Sequence, residues 1–198
     1  MTASNRTVHG LVLAGGMSTR MGRDKASLLH PDGRTWLRRC HDLLLDAGCG
    51  SVALSLRADQ ELPDGFADIA APPIFRDPPN ASHGPLAGIA AALRSTRDVD
   101  WLIVACDLPR LDLPTLKHLV AEKKAAEKFL AYRSEFDGLP EPLCALYSSD
   151  ALPLFEDAMS NDFRCPRKIL IRNECRLLDP VTPGALHNAN RPEDWDQP

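Results

Sequence analysis

Residues 13–25 read L-A-G-G-M-S-T-R-M-G-R-D-K: an apolar stretch runs into Gly15 and Gly16, then hydroxyls, then Arg20, Arg23 and Lys25 within six positions. Glycines at the carboxyl end of a strand let backbone N–H groups turn toward an anion with no Cβ in the way, and neighbouring basic side chains neutralise phosphate charge. The spacing fits neither standard glycine motif. From Gly16 the next glycine is Gly22, followed by Arg23, so there is no G-x-x-x-x-G-K-[ST], and there is no G-x-G-x-x-G. The segment is a candidate phosphate loop of another kind.

Asp107 follows the apolar run W-L-I-V-A-C at 101–106, which places its carboxylate at a strand's carboxyl edge, as Gly15 is. Both would then face one crevice, the usual ligand position in an open parallel sheet. A carboxylate there suits Mg²⁺, which is bound by one or two carboxylates plus substrate phosphates. The competing role for Asp107 is to cap the following turn, aided by Pro109. Asp77 precedes a second glycine-bearing turn, G-P-L-A-G at 84–88, where Gly84 opens a helix with Pro85 in its first turn. Gly88 reads equally as a helix-packing glycine, and Asp77 as a turn residue before Pro78 and Pro79. Residues 187–194, H-N-A-N-R-P-E-D, form a polar loop in which Asn188 and Asn190 would point the same way if extended.

Short apolar runs alternating with amphipathic stretches must position these residues, the pattern of a parallel sheet covered on both faces. Strands are expected at 9–14, 51–56, 72–75, 101–106 and 143–147. Helices are expected at 35–46, 85–93 and 151–159. Leu116, Leu119, Val120 and Phe129 predict one further surface helix, whose charged run 122–128 forms a solvated face. Residues 169–178 read as irregular or strand-like.

The chain has 198 residues, 44% hydrophobic and 25% charged, ordinary values for a single folded domain. A net charge of −4 lacks the basic surplus that grip on a nucleic-acid backbone requires, so any bound anion meets a local site. Five of the 12 glycines fall within the first 33 residues. No apolar stretch approaches the roughly 20 residues that span a bilayer, and a cytoplasmic location is expected. The six cysteines have no C-x-x-C pair and are expected to be reduced thiols, and the six histidines form no cluster. Of these, only His83 and His187 are candidates for the edge of the site.

On L-A-G-G-x-S-x-R-M-G-x-D-K at 13–25, G-P-L-A-G at 84–88, A-C-D-L-P at 105–109 and N-A-N-R-P-E-D at 188–194, the chain resembles the bacterial molybdenum cofactor guanylyltransferases, nucleotidyltransferases with a Rossmann-like fold. The resemblance spans nearly the whole sequence. It implies an α/β three-layer sandwich with a mostly parallel central sheet, in one domain with a nucleotide-binding half (1–110) and an acceptor-side half (111–198). It further implies transfer of GMP from Mg–GTP to the phosphate of molybdenum-molybdopterin, releasing diphosphate, with Mg²⁺ as cofactor. Molybdoenzyme apoproteins or cofactor-delivery proteins would be further partners; neither nucleic acid nor membrane is implied.

Carried over by position, Leu13, Ala14, Gly15, Gly16 and Gly84 would lie along the nucleotide and Lys25 at its phosphates. Asp77 would contact the guanosine end, and Asp107 would bind Mg²⁺ beside GTP. Asn188 and Asn190 would stand on the pterin side. Arg20 fits the triphosphate by charge, so Arg20, Lys25 and Asp107 are the expected catalytic set. The attacking phosphate oxygen is already anionic, so no Ser–His or Cys–His nucleophile is required. Three features depart from the pattern: Ser55 stands where Asn is common, Arg191 replaces Thr before Pro192, and only W-D-Q-P follows Asp194, so the closing helix is expected to be very short. The rival readings are a CTP-using or sugar- or polyol-phosphate relative of the same fold, disfavoured by L-A-G-G and D-K, and a non-catalytic nucleotide or cofactor carrier.

Overall fold

A computed structural model describes residues 6–16, 24–77 and 84–189. The expectations for Arg20, Gly22, His83, Asn190 and Arg191 fall outside them.

The first apolar run forms strand β1 (Thr7–Leu13). Thr35 caps helix α1 (Trp36–Asp46), its hydroxyl accepting from the Arg38 N–H at 3.2 Å. Strands β2 (Val52–Leu56) and β3 (Ile74–Arg76) follow, then helix α2 (Pro85–Ser95) and the fully buried strand β4 (Val99–Ala105). Helix α3 (Leu113–Glu122) is capped by Asp112 and leads to strands β5 (Phe129–Arg133) and β6 (Pro140–Ser148). Helices α4 (Leu152–Ser160) and α5 (Pro166–Arg172) and strand β7 (Arg176–Leu178) complete the described chain.

The seven strands make one sheet in the order β3-β2-β1-β4-β6-β5-β7. β1 pairs in parallel with β2 and β4, β2 with β3 and β5 with β7, while β6 runs antiparallel between β4 and β5. The expected mostly parallel three-layer sandwich is present. Alternate residues along β4 face opposite ways. Leu102 and Val104 pack with Leu37 and Leu44 of α1 and Leu116 and Leu119 of α3, whereas Trp101 and Ile103 pack with Leu86 and Ile89 of α2, Phe155 of α4 and Leu170 of α5. No helix among the described residues is long and apolar enough to cross a membrane.

Three expectations for the second half are corrected. The charged run 122–128 does not continue a surface helix, because α3 stops at Glu122 and Lys123 turns into extended backbone. Its ammonium lies 3.4 Å from Asp100 Oδ1, both side chains essentially inaccessible to solvent, and donates to the carbonyls of Lys124 and Glu127 at 3.1 and 2.6 Å. Phe129, assigned to that helix by its spacing, instead opens β5. Residues 169–172 are not irregular but complete α5, which begins at Pro166 and buries Ile169 and Leu170, whereas the strand-like part of that expectation is met by β7 at 176–178.

Ahead of α1, Asp32 accepts from the Arg34 backbone N–H at 3.0 Å and from its guanidinium at 2.8 Å. Desolvation pulls the Asp32 carboxyl up, but these bonds outweigh it and hold it at about 2, against an ordinary 3.8. A carboxyl depressed in the folded state contributes stability that is complete above its unfolded value and disappears as pH falls through its folded value. Asp32→Asn should therefore flatten the fall of the urea midpoint between pH 3.8 and about 2. Asp42, also depressed despite burial by its bonds to Arg38, His41 and Arg34, would retain its part of that slope.

Candidate functional site

The carboxyl ends of the parallel strands lie side by side because β1 pairs with β4 in register through Leu13 and Ala105, and the ladder continues one residue further, the Cys106 N–H donating to the Leu13 carbonyl at 3.0 Å. On the other side the Ala14 N–H donates to the Ser55 carbonyl at 2.9 Å, and the Asp77 N–H to the Leu56 carbonyl at 3.0 Å. Gly15, Asp77 and Asp107 thus leave the sheet at one edge.

Lys25 reaches this edge from a single 3₁₀ turn (Lys25–Ser27) capped by Asp24, whose Oδ1 accepts from the Ala26 N–H at 3.0 Å. Its Nζ lies 2.9 Å from Asp107 Oδ2, with the two side chains 13% and 22% exposed. Partial shielding of both charges makes this pair stronger than a surface ion pair while leaving a face of each open to ligand. Gly15 stands beside Asp77: a Cβ built on Gly15 would lie 3.2 Å from Asp77 Oδ2. Burial raises the Asp77 carboxyl, and the Arg57 charge opposes it.

Gly84, at the start of α2, has φ +55° and ψ −137°, a conformation reserved in practice for glycine. At Gly88 a Cβ would lie 2.3 Å from Ser55 Oγ and 2.9 Å from Leu13 Cδ2, so the close approach of α2 to β1 and β2 needs both the glycine and the small serine. Ser55 is accordingly buried beneath α2. Asn188 is joined to the site through its neighbour, since the Ala189 N–H donates to the Asp107 carbonyl at 3.0 Å. The structure therefore brings Lys25, Asp107 and Asn188 together on one side and Leu13, Ala14, Gly15, Gly16 and Asp77 on the other.

Beyond Asp107 opens a cleft of about 820 Å³ whose lining includes Arg110, Phe136, Glu141, Arg167, His187 and Asn188. Arg167 donates to Asp137 Oδ2 at 2.7 Å and Glu141 Oε2 at 3.3 Å. Phe136, 98% exposed, stands at its rim. Sequence reasoning named His187 and Asn188 but missed Arg110 and the part of this wall built by Phe136, Glu141 and Arg167, which are remote from Asp107 in sequence. It also missed Arg57, whose Nη1 donates to the Gly16 carbonyl at 3.0 Å; applying the strand-end rule to β2 would have found it.

No thiol in the crevice is suited to nucleophilic attack. Cys106 adjoins Asp107, but burial and the neighbouring carboxylate push its pKa well above the ordinary range, and burial pushes Cys40 up to about 12. Among the described residues no group of three or more His, Cys, Asp or Glu side chains could cage a metal. A cation here would be held by Asp107 together with ligand phosphates, a donor set that suits Mg²⁺.

Residues 10–176 match the MobA-like NTP transferase domain family. The chain belongs to that family. As a MobA-like protein it is a nucleotidyltransferase. It is 37% identical over 98% of its length to the molybdenum cofactor biosynthesis bifunctional protein of Synechocystis, of which it spans 54%. It is 31% identical to the molybdenum cofactor guanylyltransferase of Pseudomonas fluorescens strain Pf0-1, covering 92% of this chain and 89% of that one. The MobA-like fold also superposes on molybdopterin-guanine dinucleotide biosynthesis protein A from Archaeoglobus fulgidus with a TM-score of 0.72, at 22% identity and 94% coverage of both chains.

Proposed function

We propose that this MobA-like protein transfers GMP from Mg–GTP to the phosphate of molybdenum-molybdopterin, forming the guanine dinucleotide cofactor and diphosphate in the cytoplasm. The observation that carries the reading is the Lys25–Asp107 pair at 2.9 Å, set between the glycine-bearing end of β1 and the cleft beyond β4. Guanylyltransferase relatives matched over nearly the whole chain support the choice of nucleotide and acceptor.

In this reading residues 1–110 hold the nucleotide and residues 111–198 the acceptor. Leu13, Ala14, Gly15, Gly16 and Gly84 follow the nucleotide, with Asp77 toward the guanosine end. Lys25 and Arg20 lie against the triphosphate, and Asn188 and Asn190 against the pterin. The acceptor phosphate enters from the cleft and attacks the α-phosphorus, and diphosphate departs on the opposite side. Lys25 offsets negative charge on the phosphates as the two anions are brought together, and no proton need be removed from the nucleophile. Asp107 would hold Mg²⁺, which supplies further neutralisation of the triphosphate charge.

A nucleotide panel tests the reading. With Mg²⁺ present, GTP should raise the melting temperature more than CTP, ATP or UTP, and ligand at about 100 times its Kd adds about 2.7 kcal/mol of stability. Greatest stabilisation by CTP would overturn the guanylyl assignment. Diphosphate release with GTP and molybdenum-molybdopterin should accompany it; a wild-type protein that releases none would be a carrier.

A further inference from the structure

Gln60 lies just beyond β2, outside every motif recognised in the sequence, and is 4% exposed. Its carboxamide makes three hydrogen bonds to three separate pieces of chain. Oε1 accepts from the Arg57 N–H at 3.1 Å, and Nε2 donates to the Ala14 carbonyl at 3.2 Å and to Asp24 Oδ2 at 2.8 Å. The orientation of the amide follows from its partners, one a donor and two acceptors.

Ala14 and Asp24 are the residues at which the chain leaves β1 and enters the Lys25 turn. One buried side chain therefore ties the exit of the strand to the cap of the turn that presents Lys25 to Asp107. The tie is itself held: Arg76 Nη1 donates to the Arg57 and Gln60 carbonyls at 3.0 and 2.7 Å, and Arg57 reaches the Gly16 carbonyl. An amide supplies what this point requires, since a carboxylate would set like charge against Asp24 and lone pairs against the Ala14 carbonyl.

We propose that Gln60 is a positioning residue for the triphosphate, acting through Asp24 on Lys25 and through Ala14 on the strand end. The inference rests on the reading of residues 13–25 as the triphosphate loop, but not on the identity of the base.

The test is titration of the full-length chain with whichever Mg–nucleoside triphosphate stabilises the wild type most, alongside steady-state kinetics. Gln60→Glu should raise the nucleotide Kd at least tenfold while the acceptor KM stays within twofold. Adding Asp24→Asn to Gln60→Glu restores a donor between the two side chains, because the introduced carboxamide can donate through its Nδ2 to the introduced carboxylate while its Oδ1 still caps the turn. That double variant should recover most of the lost affinity. Asp24→Asn alone, changed at a partly exposed position where Asn remains a competent cap, should weaken nucleotide binding even if the buried carboxylate of Gln60→Glu prevents folding. Nucleotide affinity within twofold of wild type in both single variants overturns the inference, as does equal weakening of nucleotide and acceptor without rescue. A wild type that prefers another base removes the guanine reading and leaves this test intact, whereas a wild type that binds no nucleoside triphosphate overturns both.

Discussion

Asp107→Ala should lower the rate of diphosphate release with GTP, Mg²⁺ and molybdenum-molybdopterin about 10²–10³-fold, the usual effect of removing one group aimed at charge developing in a transition state. The side chain leaves the Lys25 ion pair, and the carboxylate at the carboxyl edge of β4 is lost. The fold should survive. Asp107 is partly exposed and lies beyond the last residue of the strand, and its bond with Ala189 uses the backbone carbonyl, which alanine retains. Far-ultraviolet circular dichroism and the urea midpoint should therefore change little. Release at the wild-type rate would show that the charges had been assigned to the wrong end of the sheet.

Lys123→Met should have the larger effect on stability, about 3–5 kcal/mol, the range for removing one partner of a buried ion pair. It takes the facing ammonium from the Asp100 carboxylate in an interior where both groups are essentially inaccessible to solvent, and it removes the donor to two backbone carbonyls. At about 2–4 °C per kcal/mol for a chain of this size, the melting temperature should fall by about 6–20 °C. Asp100→Leu combined with Lys123→Met should recover much of the loss, since an apolar pair of similar volume removes both buried charges together. Asp100 sits near the start of β4 and Asp107 beyond its end, so the KM values and kcat of folded Lys123→Met protein should match the wild type. A change in nucleotide KM without loss of stability would contradict this division.

The placement of Gly15 and Asp107 at the strand ends was legible in the sequence because its signal is local: a glycine and an acidic residue directly follow runs that must be buried strands. The alternation of apolar runs likewise exposed β1, β2 and β4. The second half was harder to read because similar patterns serve different ends. Phe129 continues the apolar spacing of α3, yet packs as the first residue of β5. The run containing Lys123 has the composition of a solvated face, and only the position of Asp100 in three dimensions turns one of its lysines inward. Gln60 was invisible for a related reason. Nothing in R-A-D-Q distinguishes a surface turn from a side chain buried among three pieces of chain, and two of the contacts that define it lie 46 and 36 positions away.

The hydrogen bond from the Ala189 N–H to the Asp107 carbonyl has a thermodynamic corollary. The loop bearing Asn188 is joined by this bond to the peptide carbonyl of the residue that carries the carboxylate, and Leu186 of the same segment packs into the core with Cys106 and Leu108. Nucleotide and pterin would then not bind as strangers: whatever free energy the first ligand contributes to fixing that peptide the second need not supply, and by reciprocity the gain is the same in either order of addition. In the proposed function, a filled acceptor cleft would be felt from the nucleotide side through this bond and the packing of Leu186 beside it.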